Sequence, residues 1–491
     1  MEVVRRLVGF IDNKQYRSIM FAIVLSIISA VVLLKIVDST FSTSDHPVIS
    51  LLVFVICGTT FIIPFIVRKK EIFIYYFILS FPCIGFTLKG LTLLQIYSFV
   101  LVVIYRKEIV NLVKDKGHIY RIPFFIIIFC FIYTSLLSHH PRAAFERVLF
   151  FSSLVGIYFA ITTFIKSERE IKTVFRFLLM LFAFCVLVSF LQFRFGVDSI
   201  KFSFLQYGEN TGASHVLGLK RMPSVFPEAQ AAGQYFATMI ILSLGCLSTY
   251  FRKSRLIKGI LVFGALAFLF TITRIAILSF LGVMLIVHLF ILPFKRIMII
   301  MLIIFCVTVA GKIIIENIIP SGVSERFDPD EQKKSFDYRF MLWEASFPIF
   351  VHHPFGVGLG GENLFDAGCE VNAVFMPEYT ETPSKRNNTH FESSYLEILY
   401  SLGIIGFFGF MLLLTEYFKT GIKLIKENPH SDVKRFSLYL MGAMAVWLIP
   451  AAISPQWNVM QPMIIFVTLL ALMNSLNNIY RNTVYEQDKL A

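Results

Sequence analysis

Apolar stretches of 15 to 23 residues return so regularly along this chain that few folds are open to it. A helix needs about twenty apolar residues to cross the hydrocarbon of a bilayer, and a spanning segment must satisfy its backbone hydrogen bonds internally. On that measure helices are predicted at 18–37, 48–67, 71–88, 91–105, 122–138, 148–165, 174–193, 231–250, 257–272, 275–294, 297–319, 394–416, 436–453 and 459–477. The expectation is an all-α polytopic membrane protein with 14 transmembrane helices. Composition agrees, since 56% of residues are hydrophobic, 16% are charged, and 54 Phe exceed what the core of a soluble domain uses.

A net charge of +13 raises the question of nucleic acid. Here, however, Lys and Arg are interleaved with apolar runs, which is the pattern of membrane topology, so no nucleic-acid partner is expected. Segments 1–17, 68–70, 106–121, 166–176, 251–258, 295–296, 418–435 and 478–491 carry 29 of the 45 cations, and the alternate loops carry 14. The positive-inside rule therefore predicts cytoplasmic termini and places the alternate loops outside. The basic N-terminus leads into an apolar run without a small-residue cleavage site, so it reads as a first span. Six of the 7 Cys fall in apolar segments and leave Cys369 alone among polar residues, so neither a disulfide framework nor a metal cluster is expected, and no cofactor.

One interruption breaks the pattern. Residues 320–393 are polar and separate eleven predicted spans in 1–319 from three in 394–477, with a tail at 478–491. Irregular backbone of that length needs water or protein partners, so 320–393 is predicted to form a large extracytoplasmic loop that carries the chemistry. Three outward stretches hold convergent polar groups: Lys220-Arg221 followed by Ser224, Phe226 and Glu228; Thr271-Ile272-Thr273-Arg274; and the loop itself, with Arg339, His353, His390 and Glu392.

Each has a plainer reading. Lys220 and Arg221 could snorkel to headgroups. His353-Pro354 before Gly356, Gly358 and Gly360 suits a turn, and the run lacks the strand and the Lys-Ser/Thr of a phosphate loop. Glu392 and Glu397 could mark a solvated helix start, capped by Ser393 or Ser394. Arg274 is harder to dismiss, because an Arg caught between apolar segments faces a cavity or an anion by default.

In order and spacing these residues resemble the O-antigen ligase and polymerase family of membrane glycosyltransferases. The likeness rests on Arg221 with Ser224-Val225-Phe226; Thr271-Ile272-Thr273-Arg274-Ile275-Ala276; Arg339 with Trp343; His353-Pro354-Phe355-Gly356-Val357-Gly358; and Ser393-Ser394-Tyr395-Leu396 leading to Gly403-Ile404-Ile405-Gly406. It covers about residues 215–410. The resemblance implies a GT-C-like fold in a bacterial inner membrane, with the 320–393 loop periplasmic. The donor and acceptor would be glycans on polyprenyl diphosphate among membrane lipids, with a chain-length regulator as a further partner. Ligases of the family carry His-Asn-Ser-Tyr-Leu where this chain has Glu392-Ser393-Ser394-Tyr395-Leu396, which favours polymerase; His390 keeps the ligase reading open. A lipid-linked oligosaccharide flippase is the alternative of another class, but no repeat of the first half in the second supports it.

Transfer from such a donor requires charge stabilisation on the diphosphate and a base for the incoming hydroxyl. Arg221, Arg274 and Arg339 suit the first task, because guanidinium stays charged and pairs bidentately with phosphate oxygens. Glu392 suits the second. Lys220, Glu228, His353, His390 and Tyr395 are expected to line the substrate, and the displacement is expected to be inverting and metal-independent.

Overall fold

The computed structural model describes residues 87–88, 91–115, 118–197, 215–216, 219–291, 329–371, 391–428, 430–455, 457 and 460–490. The predicted spans 18–37, 48–67 and 297–319, and nearly all of 71–88, lie outside these residues. Every described residue belongs to one compact unit, Ile74–Ile200 with Tyr207–Ala491.

Helices dominate. They run α1 (Leu93–Ile104), α2 (Arg106–Lys114), α3 (Arg121–Leu136), α4 (Pro141–Phe164), α5 (Glu168–Phe195), α6 (Ala229–Thr249), α7 (Arg255–Phe270), α8 (Arg274–Ile291), α9 (Pro329–His352), α10 (Gly361–Glu370), α11 (Ser394–Glu427), α12 (Ser431–Ala451) and α13 (Met460–Leu490). The described strands are only two residues long: β1 (Thr87–Leu88) pairs antiparallel with β2 (Leu91–Thr92), and β3 (His215–Val216) with β4 (Leu219–Lys220). Among the described residues, α4, α5, α6, α11 and Gln461–Arg481 of α13 are long and apolar enough to cross a membrane, and α1, α3 and α8 are shorter apolar helices. The molecule is thus a polytopic, helical membrane protein.

Local chemistry sets the helix ends. α5 starts at a capping box in which the Glu170 carboxylate accepts from the Ser167 amide at 2.6 Å, and it stops at Gly196, whose φ is 88°. At the centre of the bundle stands α12. Its most extensive partner is α6, and it also packs on α11, α8 and α13, while α4 is flanked by α1 and α13. Small residues let these axes approach: a Cβ on Gly245 of α6 would meet Tyr439 at 2.7 Å, and one on Gly442 of α12 would meet Val287 of α8 at 2.9 Å.

Helices α6 and α12 run antiparallel, as two contacts at opposite ends record. Arg252, just past the end of α6, pairs with Asp432 in the first turn of α12. At the other end the Gln234 amide donates to Trp447 O at 2.5 Å. That second end of the bundle holds the candidate site.

Candidate active site

The arginine motifs meet where α6, α7 and α8 converge. After β4 the chain turns along the α7–α8 junction, with the Met222 amide bonded to Phe270 O at 3.2 Å. This brings Arg221 against Thr271 and Thr273: its Nε donates to Thr271 O at 3.0 Å and its Nη2 to Thr273 Oγ1 at 3.1 Å. The Thr273 hydroxyl donates in turn to Ala229 O, in the first turn of α6, at 3.1 Å. Gly233 allows this approach, since a Cβ there would lie 2.8 Å from the Thr273 side chain. Arg274 opens α8 with an exposed side chain, so two guanidiniums share one helix N-terminus, where the helix dipole also favours anions. Glu228 sits exposed at the N-cap position of α6 beside them, and Lys220 ends β4.

Ser224 anchors the first motif from below. Its Oγ donates to Cys185 O at 2.7 Å, and Gln192 clamps its backbone twice, accepting from the Ser224 amide at 2.8 Å and donating to Ser224 O at 2.9 Å.

The loop motifs form a second cluster. Helices α9 and α10 share a small core with the start of α11, built on Ile349, Val357, Leu364, Phe391 and Tyr400. Phe391 is fully buried in it, and the Trp343 indole donates to Phe391 O at 3.1 Å. On the other side of Glu392, the Ser394 amide and hydroxyl both bond Ser454 O, and the Trp457 amide donates to Ser394 Oγ at 3.1 Å. Glu392 is thus bracketed by two anchored neighbours. Arg339 of α9 faces it, Nη2 to Oε2, at 3.9 Å with both side chains partly buried, which is Coulomb distance and too long for a hydrogen bond.

The three non-glycine residues with left-handed backbone among those described are Ser224 (φ 55°), Ile272 (φ 49°) and Glu392 (φ 50°). One falls in each motif region, and Ile272 is β-branched, the residue type for which this conformation is most unfavourable. Strain of this kind costs about 1–3 kcal/mol per residue and persists where the surroundings over-determine the backbone.

The glycine run is structural. Gly403 breaks α11 with φ 68°, which strips Tyr400 O and Ser401 O of their helical donors. The Val357 and Gly358 amides take those places at 2.9 and 3.1 Å, and the freed Ile404 amide bonds Pro354 O at 2.9 Å. Neither glycine tolerates a side chain at this crossing, because a Cβ on Gly403 would run into the Phe355 backbone and one on Gly356 would meet Ser401 O at 2.6 Å. Broken helices within a membrane protein are satisfied by just such protein partners. The Gly356, Val357 and Gly358 amides are thus committed to carbonyls and are not offered to a phosphate.

The structure therefore joins Arg221 with Arg274, and Arg339 with Glu392. Helix α12 links the clusters through consecutive carbonyls, since Trp447 O accepts from Gln234 of α6 and Leu448 O accepts from the Tyr395 hydroxyl of α11 at 3.1 Å. His353 bonds Glu370 of α10 at 2.9 Å, and His390 lies outside the described residues. Ser393 takes the N-cap position of α11 without a side-chain cap bond, and Glu397 is buried, not solvated, with its charge acting on Arg147 of α4. Sequence reasoning overlooked Gln192, Gln234 and Arg147. Their signal was a polar group inside or at the edge of an apolar helix.

Fold and site thus define a polytopic membrane protein with clustered cations at one end of its helical bundle. Residues 259–411, from α7 through the break in α11, match a family model described as O-Antigen ligase. The match spans less than a third of the 491-residue chain and supports the O-antigen ligase and polymerase family without separating the two activities. No curated protein matches the chain.

Proposed function

We propose that this protein is a polymerase of lipid-linked polysaccharide repeat units, moving glycan from a polyprenyl diphosphate donor to a sugar hydroxyl of a lipid-linked acceptor. The observation that carries the reading is Arg221, held by Thr271 and Thr273 beside Arg274 at the start of α8, with Arg274 inside the family-matched segment. Fixed cations at a helix N-terminus suit a diphosphate leaving group.

In the proposed reaction the acceptor oxygen attacks the anomeric carbon from the face opposite the diphosphate. A new C–O bond forms as the old one breaks, and the anomeric configuration inverts. The hydroxyl proton passes to the Glu392 carboxylate, and the charge on the departing polyprenyl diphosphate is balanced by Arg221 and Arg274. Arg339 holds Glu392 toward the reacting centre. The chain would work in the bacterial inner membrane with cytoplasmic termini and a periplasmic 320–393 loop, alongside a chain-length regulator.

A ligase that transfers glycan to lipid A-core is the second reading, favoured by the description of the matching family model. Membranes supplied with lipid-linked repeat units distinguish the two. A ladder of lengthening glycans is expected. Transfer to lipid A-core with no ladder would overturn polymerase, and near-normal product from both Arg221→Lys and Arg274→Lys would reduce these residues to headgroup anchors. Reporters fused after Lys334 and Lys426 test the sidedness; a cytoplasmic signal at Lys334 would separate loop from donor.

A further inference from the structure

Helix α9 presents two unlike faces. Leu342, Ser346 and Ile349 are buried toward the loop core, where Ser346 bonds the Tyr400 hydroxyl at 2.9 Å. Phe340, Phe347 and Val351, seven and four residues apart and so on one side of the helix, are each more than half exposed, and Phe355 beyond the helix end is too. A row of large apolar side chains, interrupted at Glu344, is not an ordinary water-facing surface; it marks a covered one.

Continuity identifies the cover. The Phe355 backbone lies on Gly403, and Pro354 O accepts from the Ile404 amide at 2.9 Å, so the row runs on to Ile404 and Phe408 of α11, also exposed. Helix α11 is one of the helices able to cross a membrane, and its exposed apolar side chains are lipid-facing. Helix α10 supplies the contrast: Glu362 and Asp366 flank His140, and Glu370 bonds His353, an acidic row that belongs in water.

We infer that α9 is an interfacial helix, its Phe340–Phe347–Val351 side embedded among the acyl chains of the membrane leaflet nearest the loop. Glu344, exposed on the same side, limits the depth to the headgroup boundary. The loop is then a water-borne structure on its α10 side only, and the height of Arg339 above the membrane follows from the seating of α9.

The full-length protein in liposomes of phosphatidylcholine and phosphatidylglycerol tests this, with the photoreactive residue p-benzoylphenylalanine placed singly at Phe347, Val351 or, as the water-side control, Glu370. Both aliphatic and aromatic positions lie on the surface, so two independent variants report on one face. After irradiation, mass spectrometry is expected to find phospholipid joined at positions 347 and 351 and none at 370. Adducts only to protein, or equal lipid adducts at all three positions, would overturn the inference. So would adducts at 347 and 351 that appear only with added lipid-linked donor and carry the polyprenyl mass, because the face would then be a substrate groove.

Discussion

Two arginines of the candidate site differ in the partners described for them. Arg221 is pinned, with two of its nitrogens committed to Thr271 and Thr273 and the threonine tied onward to α6. Arg339 stands 3.9 Å from Glu392 with the geometry of an ion pair and not of a hydrogen bond. A pinned cation has its orientation set before any ligand arrives, so it acts as a fixed electrostatic platform whose reorganisation cost is already met by folding. A cation 3.9 Å from a carboxylate responds directly to that carboxylate's charge. On the proposed reading the platform serves the leaving group and the Arg339–Glu392 pair serves the proton.

The largest effect expected from this division is at the base. Glu392→Gln keeps the shape and removes basicity, so turnover in the ladder assay should drop about 10²–10⁴-fold with donor binding unchanged. A normal ladder from this variant, beside none from His390→Gln, would move the proton to histidine and dissolve the comparison. Next comes Arg221→Lys, expected to lower turnover about 10²–10³-fold at unchanged protein level, because a point charge cannot keep both threonine contacts and face an anion. Thr273→Val sharpens the contrast by loosening the platform while leaving its charge. The change removes two hydrogen bonds, from Arg221 and to Ala229 O, each worth about 1 kcal/mol, so up to about a thirtyfold fall is expected, with no change in the pH profile.

The last effect concerns stability and not turnover. His118, in the α2–α3 connection, is buried and bonds the Tyr158 hydroxyl at 2.7 Å; burial lowers its pKa to about 4, with Asp115 opposing and Arg121 adding to the shift. Below its ordinary value of 6.5 the unfolded chain takes up a proton that the folded chain refuses. Stability should therefore fall as pH drops from 6.5 toward about 4, by up to about 3 kcal/mol, visible as a declining melting temperature in detergent. The His118→Asn variant should lack this slope, which the same melting measurements check.

Much of the frame is legible in the amino acids, for a physical reason. Hydropathy reports the solvent of a segment, so the predicted 231–250 and 174–193 appear as Ala229–Thr249 and within Glu168–Phe195. It fails where helix and membrane part company: the predicted 394–416 continues to Glu427, past Lys419, Lys423 and Lys426, because helix formation does not need lipid. Thr271-Ile272-Thr273-Arg274 could be singled out from its place between apolar runs, yet nothing local reveals that its threonines hold Arg221, some fifty residues earlier. The glycine run is harder still, since its role rests on Tyr400 and Ser401, more than forty residues away. Glu397 misleads for the same reason. Its spacing from Ser394 suggests a capped, solvated turn, and only the packing against neighbouring helices buries it.

The exchange of hydrogen bonds at Gly403 also bears on how the chain is made. The α11 carbonyls at Tyr400 and Ser401 take their donors from residues 357 and 358 of the preceding loop. Bare carbonyls are poorly tolerated in hydrocarbon. Stable integration of α11 is thereby expected to depend on the folded loop, and a chain lacking residues 354–358 is expected to leave α11 incompletely integrated in glycosylation mapping. The break at Gly403 would in that case make the order of assembly matter, since the helix is completed only by the loop.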